Sequence, residues 1–158
     1  MLALRRQFDI DGDMLECVKV FKYLGRMIHM HDEDGLAVRA QLRKARACWN
    51  RIARVLDGEN ASPRVCGKFF KAIVQSVLLY CSETWNLTPT LLARLEGFQL
   101  RCAYRMAKAN KPKRGPGGTW VYPRSEDVQE ECGPYSTEKY IRRRRQTIAA
   151  YVADRLLL

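Results

Sequence analysis

The chain has 158 residues, 47% of them hydrophobic, which is enough for one domain with a core, or for a domain with an appendage. Its formal charge of +11 points to a polyanionic partner, nucleic acid before anionic membrane. No stretch is long and apolar enough to span a bilayer, and no secretory signal is legible. Six cysteines scattered singly, with no Cys-x-x-Cys pair, exclude a zinc knuckle and read as reduced thiols of an intracellular protein rather than as a disulfide framework.

The first residues read as the approach to a strand, as if the chain were a piece of something longer. Segments 8–13 and 14–28 predict a β-hairpin turned at Asp11-Gly12, a pair suited to a tight turn. In its second arm Val18, Val20 and Leu24 alternate with Lys19, Phe21 and Tyr23, as in a half-buried strand, until Gly25 breaks the pattern. Asp9, Asp11 and Asp13 suit turn chemistry better than calcium, because Gly12 comes too early for an EF-hand loop. His29 and His31 beside Asp32 and Asp34 read as a polar loop ending in a helix N-cap; no metal site and no cofactor are expected.

Residues 35–57 carry a strong helical signal. Val38, Leu42, Ala45, Trp49, Ile52 and Leu56 form one apolar stripe, and Arg39, Arg43, Arg46, Asn50 and Arg54 form an adjacent basic one. No acidic residue lies between Gly35 and Leu56, whereas a solvated face normally mixes signs. After a loop at 57–61, Ser62 and Pro63 open a second helix, 63–82, with Arg64, Lys68, Lys71 and Gln75 in line. Its part within 69–85 is the longest apolar run of the chain. Phe69, Ile73, Val77 and Tyr80 would line one side and Phe70, Val74, Leu78 and Leu79 the rest, so the helix should be buried all round. Thr88-Pro89 opens a third helix, to about Ala109, with Leu91, Leu95, Phe98, Cys102 and Met106 as core and Arg94, Arg101, Arg105 and Lys108 as flank. Three helices thus share one plan, an apolar stripe beside a cationic one, and together could present phosphate-spaced cations.

Residues 111–118 read as a basic Pro/Gly linker. Beyond it come a short apolar anchor or strand at Trp120-Val121-Tyr122, an acidic patch (Glu126, Asp127, Glu130, Glu131) and a last helix with a thin stripe of Ile141, Ile148, Val152 and Leu156. The Arg142 to Arg145 run wraps that helix, with three readings open: phosphate binding, bridging to the acidic patch, or solvation. The fold expected is mainly α with a small N-terminal β-hairpin (α+β): hairpin 1–33, three-helix bundle 34–110, linker 111–118 and C-terminal segment 119–158. No phosphate loop, nucleophile elbow or His-Glu-x-x-His motif occurs, so no self-contained catalytic activity is expected.

Two stretches carry a family resemblance: Phe21-Lys22-Tyr23-Leu24-Gly25, and Tyr80-Cys81-Ser82-Glu83-Thr84-Trp85 at the end of the core helix. With the basic helix between them and Phe98, Arg101 and Cys102 after them, they resemble the C-terminal portion of reverse transcriptases from non-LTR (LINE-like) retrotransposons over about 8–108. The resemblance implies that Phe21, Tyr23, Leu24 and Gly25 are a palm-edge, primer-grip-like remnant, and that the helices are a thumb holding a template–primer duplex or RNA–DNA hybrid without sequence specificity. It also implies a nuclear or cytoplasmic ribonucleoprotein setting. The catalytic palm with its paired aspartates is missing, so polymerisation is not carried over. Cys81 stands where the family pattern has Gly, which argues against a left-handed turn there. Two alternatives accompany this reading: one piece of a complete or split RNA-directed DNA polymerase whose palm is encoded upstream, and a helical protein-interaction module or inactive retroelement relic.

Overall fold

The computed structural model describes residues 8–31, 34–109, 112–133 and 136–156. It is mainly helical, with small antiparallel β-hairpins. The N-terminal segment forms two hairpins where one was expected. Strands β1 (Asp9–Ile10) and β2 (Asp13–Met14) meet across Asp11 and Gly12, both at positive φ, as a tight two-residue turn requires. Strands β3 (Val20–Tyr23) and β4 (Arg26–His29) repeat the device across Leu24 and Gly25, so Gly25 turns a second hairpin rather than merely ending a strand. The expected half-buried strand is not seen. Phe21 and Tyr23 are more than half exposed, because the ribbon leans on the helices through its β4 arm and leaves β3 outside.

Helix α1 (Gly35–Gly58) buries Val38, Leu42, Ala45, Trp49 and Leu56, as its apolar stripe predicts. Asp34 holds the N-cap position, yet its side chain caps nothing. Its carboxylate instead accepts from Arg26 Nη2 on β4 at 2.9 Å and from the Asn86 backbone N–H at 2.5 Å. Ser62 likewise precedes α2 (Pro63–Phe69) without a side-chain cap, with Pro63 in the first turn. The chain then winds through a π-helical stretch (Phe70–Gln75) into α3 (Ser76–Leu78), where the Ser76 hydroxyl donates to the carbonyls of Ala72 and Ile73.

This central helix ends at Leu78, before the expected 82, and it is not buried all round. Phe70, Val74, Leu78 and Leu79 lie in the core, while Phe69, Ile73 and Tyr80 face outward. Cys81 reverses the chain at φ +59, so the left-handed turn exists although no glycine supplies it. Helix α4 (Pro89–Met106) starts at a Thr88 hydroxyl that accepts from the Leu91 N–H at 3.3 Å, and it buries Leu95, Phe98, Cys102 and Met106. The three helices meet in an aromatic contact chain. Trp49 packs edge-on to Phe70 with ring centres 5.6 Å apart, and Phe70 lies 6.4 Å from Phe98. Each such side chain contributes about 2–3 kcal/mol through burial.

The segment after α4 is folded. Strands β5 (Lys113–Arg114) and β6 (Trp120–Val121) pair across a loop in which Gly117 and Gly118 take positive φ. The acidic patch is helix α5 (Ser125–Cys132), which the sequence reading did not assign as helix; it packs against α2 and α4 through Val128 and Cys132. Helix α6 (Thr137–Leu156) docks by its first turns. Thr137 donates to Gln99 Oε1 at 2.7 Å and Ile141 is buried, but Ile148 and Val152 of the expected stripe are exposed. No helix among the described residues is long and apolar enough to cross a membrane.

Candidate nucleic-acid interface

Helices α1 and α4 pack side by side, and between them runs an open groove of about 1000 Å³. Its floor comes from small or short side chains, of which the sequence reading singled out only Pro89, as the start of the helix. Pro89, Ala93 and Gly97 recur every four residues on α4, so α4 offers no bulk on the face beside Leu42 of α1. Its walls are arginines: Arg39, Arg43 and Arg46 from α1, Arg94 and Arg101 from α4. No acidic and no aromatic side chain is among the described residues that line it. The two basic stripes are therefore brought onto one surface by the packing of two helices whose apolar stripes lie next to them.

The other expected cations are placed elsewhere. Arg54 donates from Nε to the carbonyl of Asn50 on its own helix. Arg105 pairs with Asp57 at 2.7 Å and lies 6.0 Å from the Trp49 ring centre, and Lys108 donates to Asn60 Oδ1 at 2.5 Å. Arg105 ties the last turn of α4 to the last turn of α1, and Lys108, just past α4, reaches the loop after α1. Arg64 and Lys68 are exposed on α2 outside the groove, and Lys71 lies on the central helix near Gly133. The second basic line thus does not reach the groove.

The Arg-rich run of α6 resolves into separate roles. Arg144 grips the Glu83 carboxylate with two hydrogen bonds, at 3.0 and 3.3 Å, and Arg145 donates to the carbonyls of Glu83 and Trp85. Burial raises the Glu83 carboxyl, but the Arg144 hydrogen bonds, a backbone hydrogen bond and the Arg144 charge together outweigh it and hold the group below its ordinary range. Arg142 pairs with Glu138 one turn back along the helix. The bridge runs to Glu83, not to the acidic patch.

The residues expected to resemble a primer grip lie on the β3–β4 hairpin, with Phe21 and Tyr23 exposed on one face of β3 and Leu24 exposed at the turn. Their neighbours are the second motif. The Tyr80 hydroxyl donates to the Leu24 carbonyl at 3.0 Å, Arg26 donates to the Thr84 carbonyl at 3.3 Å, and Gly25 faces the Tyr80 ring. Two motifs more than fifty residues apart thus share one junction, sealed by the Arg26–Asp34 pair with the Asp34 side chain only 4% exposed. The rings of His29 and His31 lie 5.5 Å apart, tilted at 52° to each other. All six cysteines are free thiols; burial pushes Cys102 up to about 12 and, with Glu131 and Cys66 adding to it, Cys132 up to about 11.

No protein-family model, no curated protein and no solved structure matches this chain.

Proposed function

We propose that the chain is a non-catalytic binder of nucleic-acid duplex backbones, a template–primer duplex or RNA–DNA hybrid, held in the α1–α4 groove. The observation that carries this reading is the convergence of five arginines from two helices on one groove whose described lining holds no carboxylate. Guanidinium groups suit phosphate oxygens in bidentate geometry, and cations of one sign on a rigid frame release counterions when a polyanion docks. A lining without aromatic rings offers no platform for unpaired bases, which favours a paired backbone over a single strand in this groove. The meeting of the two motifs at Tyr80 and Leu24 supports a kinship with the thumb and palm edge of a non-LTR reverse transcriptase.

Fluorescence anisotropy with an RNA–DNA hybrid, a DNA duplex and single strands, each over a salt series, tests the reading. Tighter binding to hybrid or duplex, with affinity falling steeply as salt rises, is the expected result. Unchanged affinity after charge reversal of Arg39, Arg43 and Arg46 together would refute it. A second reading, one piece of a complete or split RNA-directed DNA polymerase, draws on the exposed apolar side chains of the hairpins, Ile10, Phe21 and Leu24 among them. A paired-aspartate motif in the reading frame upstream would favour it; a frame without one would leave the fragment.

A further inference from the structure

Residues 111–118 read in sequence as a linker and Trp120-Val121-Tyr122 as a short apolar anchor or strand; the two parts pair as the β5–β6 hairpin, and the outward face of that hairpin is unusual. Trp120 is 63% exposed and Tyr122 is 72% exposed, whereas the other two tryptophans, Trp49 and Trp85, are 6% and 1% exposed. Alternation along β6 places Trp120 and Val121 on opposite faces, and Tyr122, the next residue beyond the strand, is exposed as Trp120 is. Val121, though itself 52% exposed, lines a small cavity with Pro123, Asp127 and Glu131. Arg114 is the residue directly across from Trp120, so its exposed side chain belongs to the outward face too. The acidic residues of α5 that reach the hairpin thus meet its Val121 side, and the other side carries a cation directly across from Trp120.

The hairpin is also fixed in place. The Gly115 N–H donates to the Thr119 carbonyl at 2.8 Å to close the loop. The Tyr104 hydroxyl donates to the Pro123 carbonyl at 3.0 Å, tying the strand's exit to α4. This is the helix whose earlier turns form one wall of the arginine groove. Exposed planar rings that are held rigidly lose little conformational entropy on binding, and every nucleobase has a face to stack on them. The positive neighbour selects for a strand that carries phosphates.

We propose that the outward face of the β5–β6 hairpin, Trp120, Tyr122 and Arg114, is a stacking site for unpaired nucleobases, which engages a single-stranded segment continuing from the duplex held by the groove. It rests on the reading of this protein as a nucleic-acid binder, but it uses different residues and a different chemistry.

The test compares a blunt RNA–DNA hybrid with the same hybrid carrying a short single-stranded oligodeoxythymidine tail, by anisotropy and by tryptophan emission. Because Trp49 and Trp85 are buried, quenching by a stacked base reports on Trp120. The tail is expected to tighten binding about tenfold and to quench the emission. Trp120→Leu should abolish both effects while leaving the blunt hybrid's affinity unchanged, and Trp120→Phe should keep most of the tightening. If the blunt hybrid binds but the tail adds neither affinity nor quenching, the inference is overturned and the aromatic face belongs to a protein contact. If free oligodeoxythymidine quenches Trp120 while the blunt hybrid does not bind, the groove reading fails and the stacking site stands.

Discussion

Leu24 sits at φ +45 in the first central position of a two-residue hairpin turn, a conformation that costs a branched side chain about 1–2 kcal/mol. It is 74% exposed, so its side chain returns little through burial. Leu24→Asn should therefore raise stability by about 1 kcal/mol in urea unfolding. If the same variant weakens nucleic-acid binding, Leu24 is held in strain for contact rather than for folding. The opposite sign is expected at Asp34. Its carboxylate satisfies Arg26 and the Asn86 N–H together, so Asp34→Ala leaves a partly buried guanidinium without its counter-charge and should cost about 3 kcal/mol. The sequence placed an acid before helix α1 as an expected N-cap. It held no signal that the acid would turn away from its helix towards residues eight positions back and 52 ahead.

At the scale of elements, the central helix and α5 touch backbone to backbone. A Cβ at Gly67 would fall on the carbonyl oxygen of Cys132, and neither atom can move away by changing rotamer. Gly67→Ala should thus destabilise by about 3 kcal/mol, and Cys132, whose thiol donates to the Ala103 carbonyl, should become open to alkylation before global unfolding. Helix α6 is fastened differently, by the pair of Arg144 and Glu83. The folded state lowers the Glu83 carboxyl from its ordinary 4.5, so this contact stabilises above about pH 4.5 and is lost as pH falls through the lower folded value. Glu83→Gln should lower the melting temperature at neutral pH and flatten its decline on acidification. A melting curve as acid-sensitive as that of the parent would place the acid response elsewhere.

For the whole molecule, the governing quantity is how many cations act together. Five arginines in one groove predict a slope of log affinity against log salt of about −4 to −5 on B-form DNA, near −0.9 for each phosphate neutralised. Reversing Arg39, Arg43 and Arg46 should remove more than half of that slope. Reversing Arg64 and Lys68, which lie outside the groove, should leave it nearly intact. A titration series over salt with both variants separates a built surface from a diffuse positive field.

The sequence by itself determined the mainly helical class, the apolar stripes of α1 and α4, the turn at Asp11-Gly12 and the presence of uncompensated cations. These are properties of spacing and residue type, and spacing along one helix needs no partner to be read. Which stripes would share a surface was decided by packing: α4 lays its small residues beside α1, while the α2 cations stay outside the groove, Arg105 turns to the last turn of α1 and Lys108 to the loop after it. The same holds for the outward side of the central helix. Its apolar composition predicts burial, but a helix can be covered only where neighbours exist, and Phe69 and Ile73 meet none that hides them. Pairing partners far apart in sequence, Asp34 with Asn86 and Glu83 with Arg144, exist only once the chain has closed, because nothing in local spacing encodes the distance between elements that tertiary packing sets.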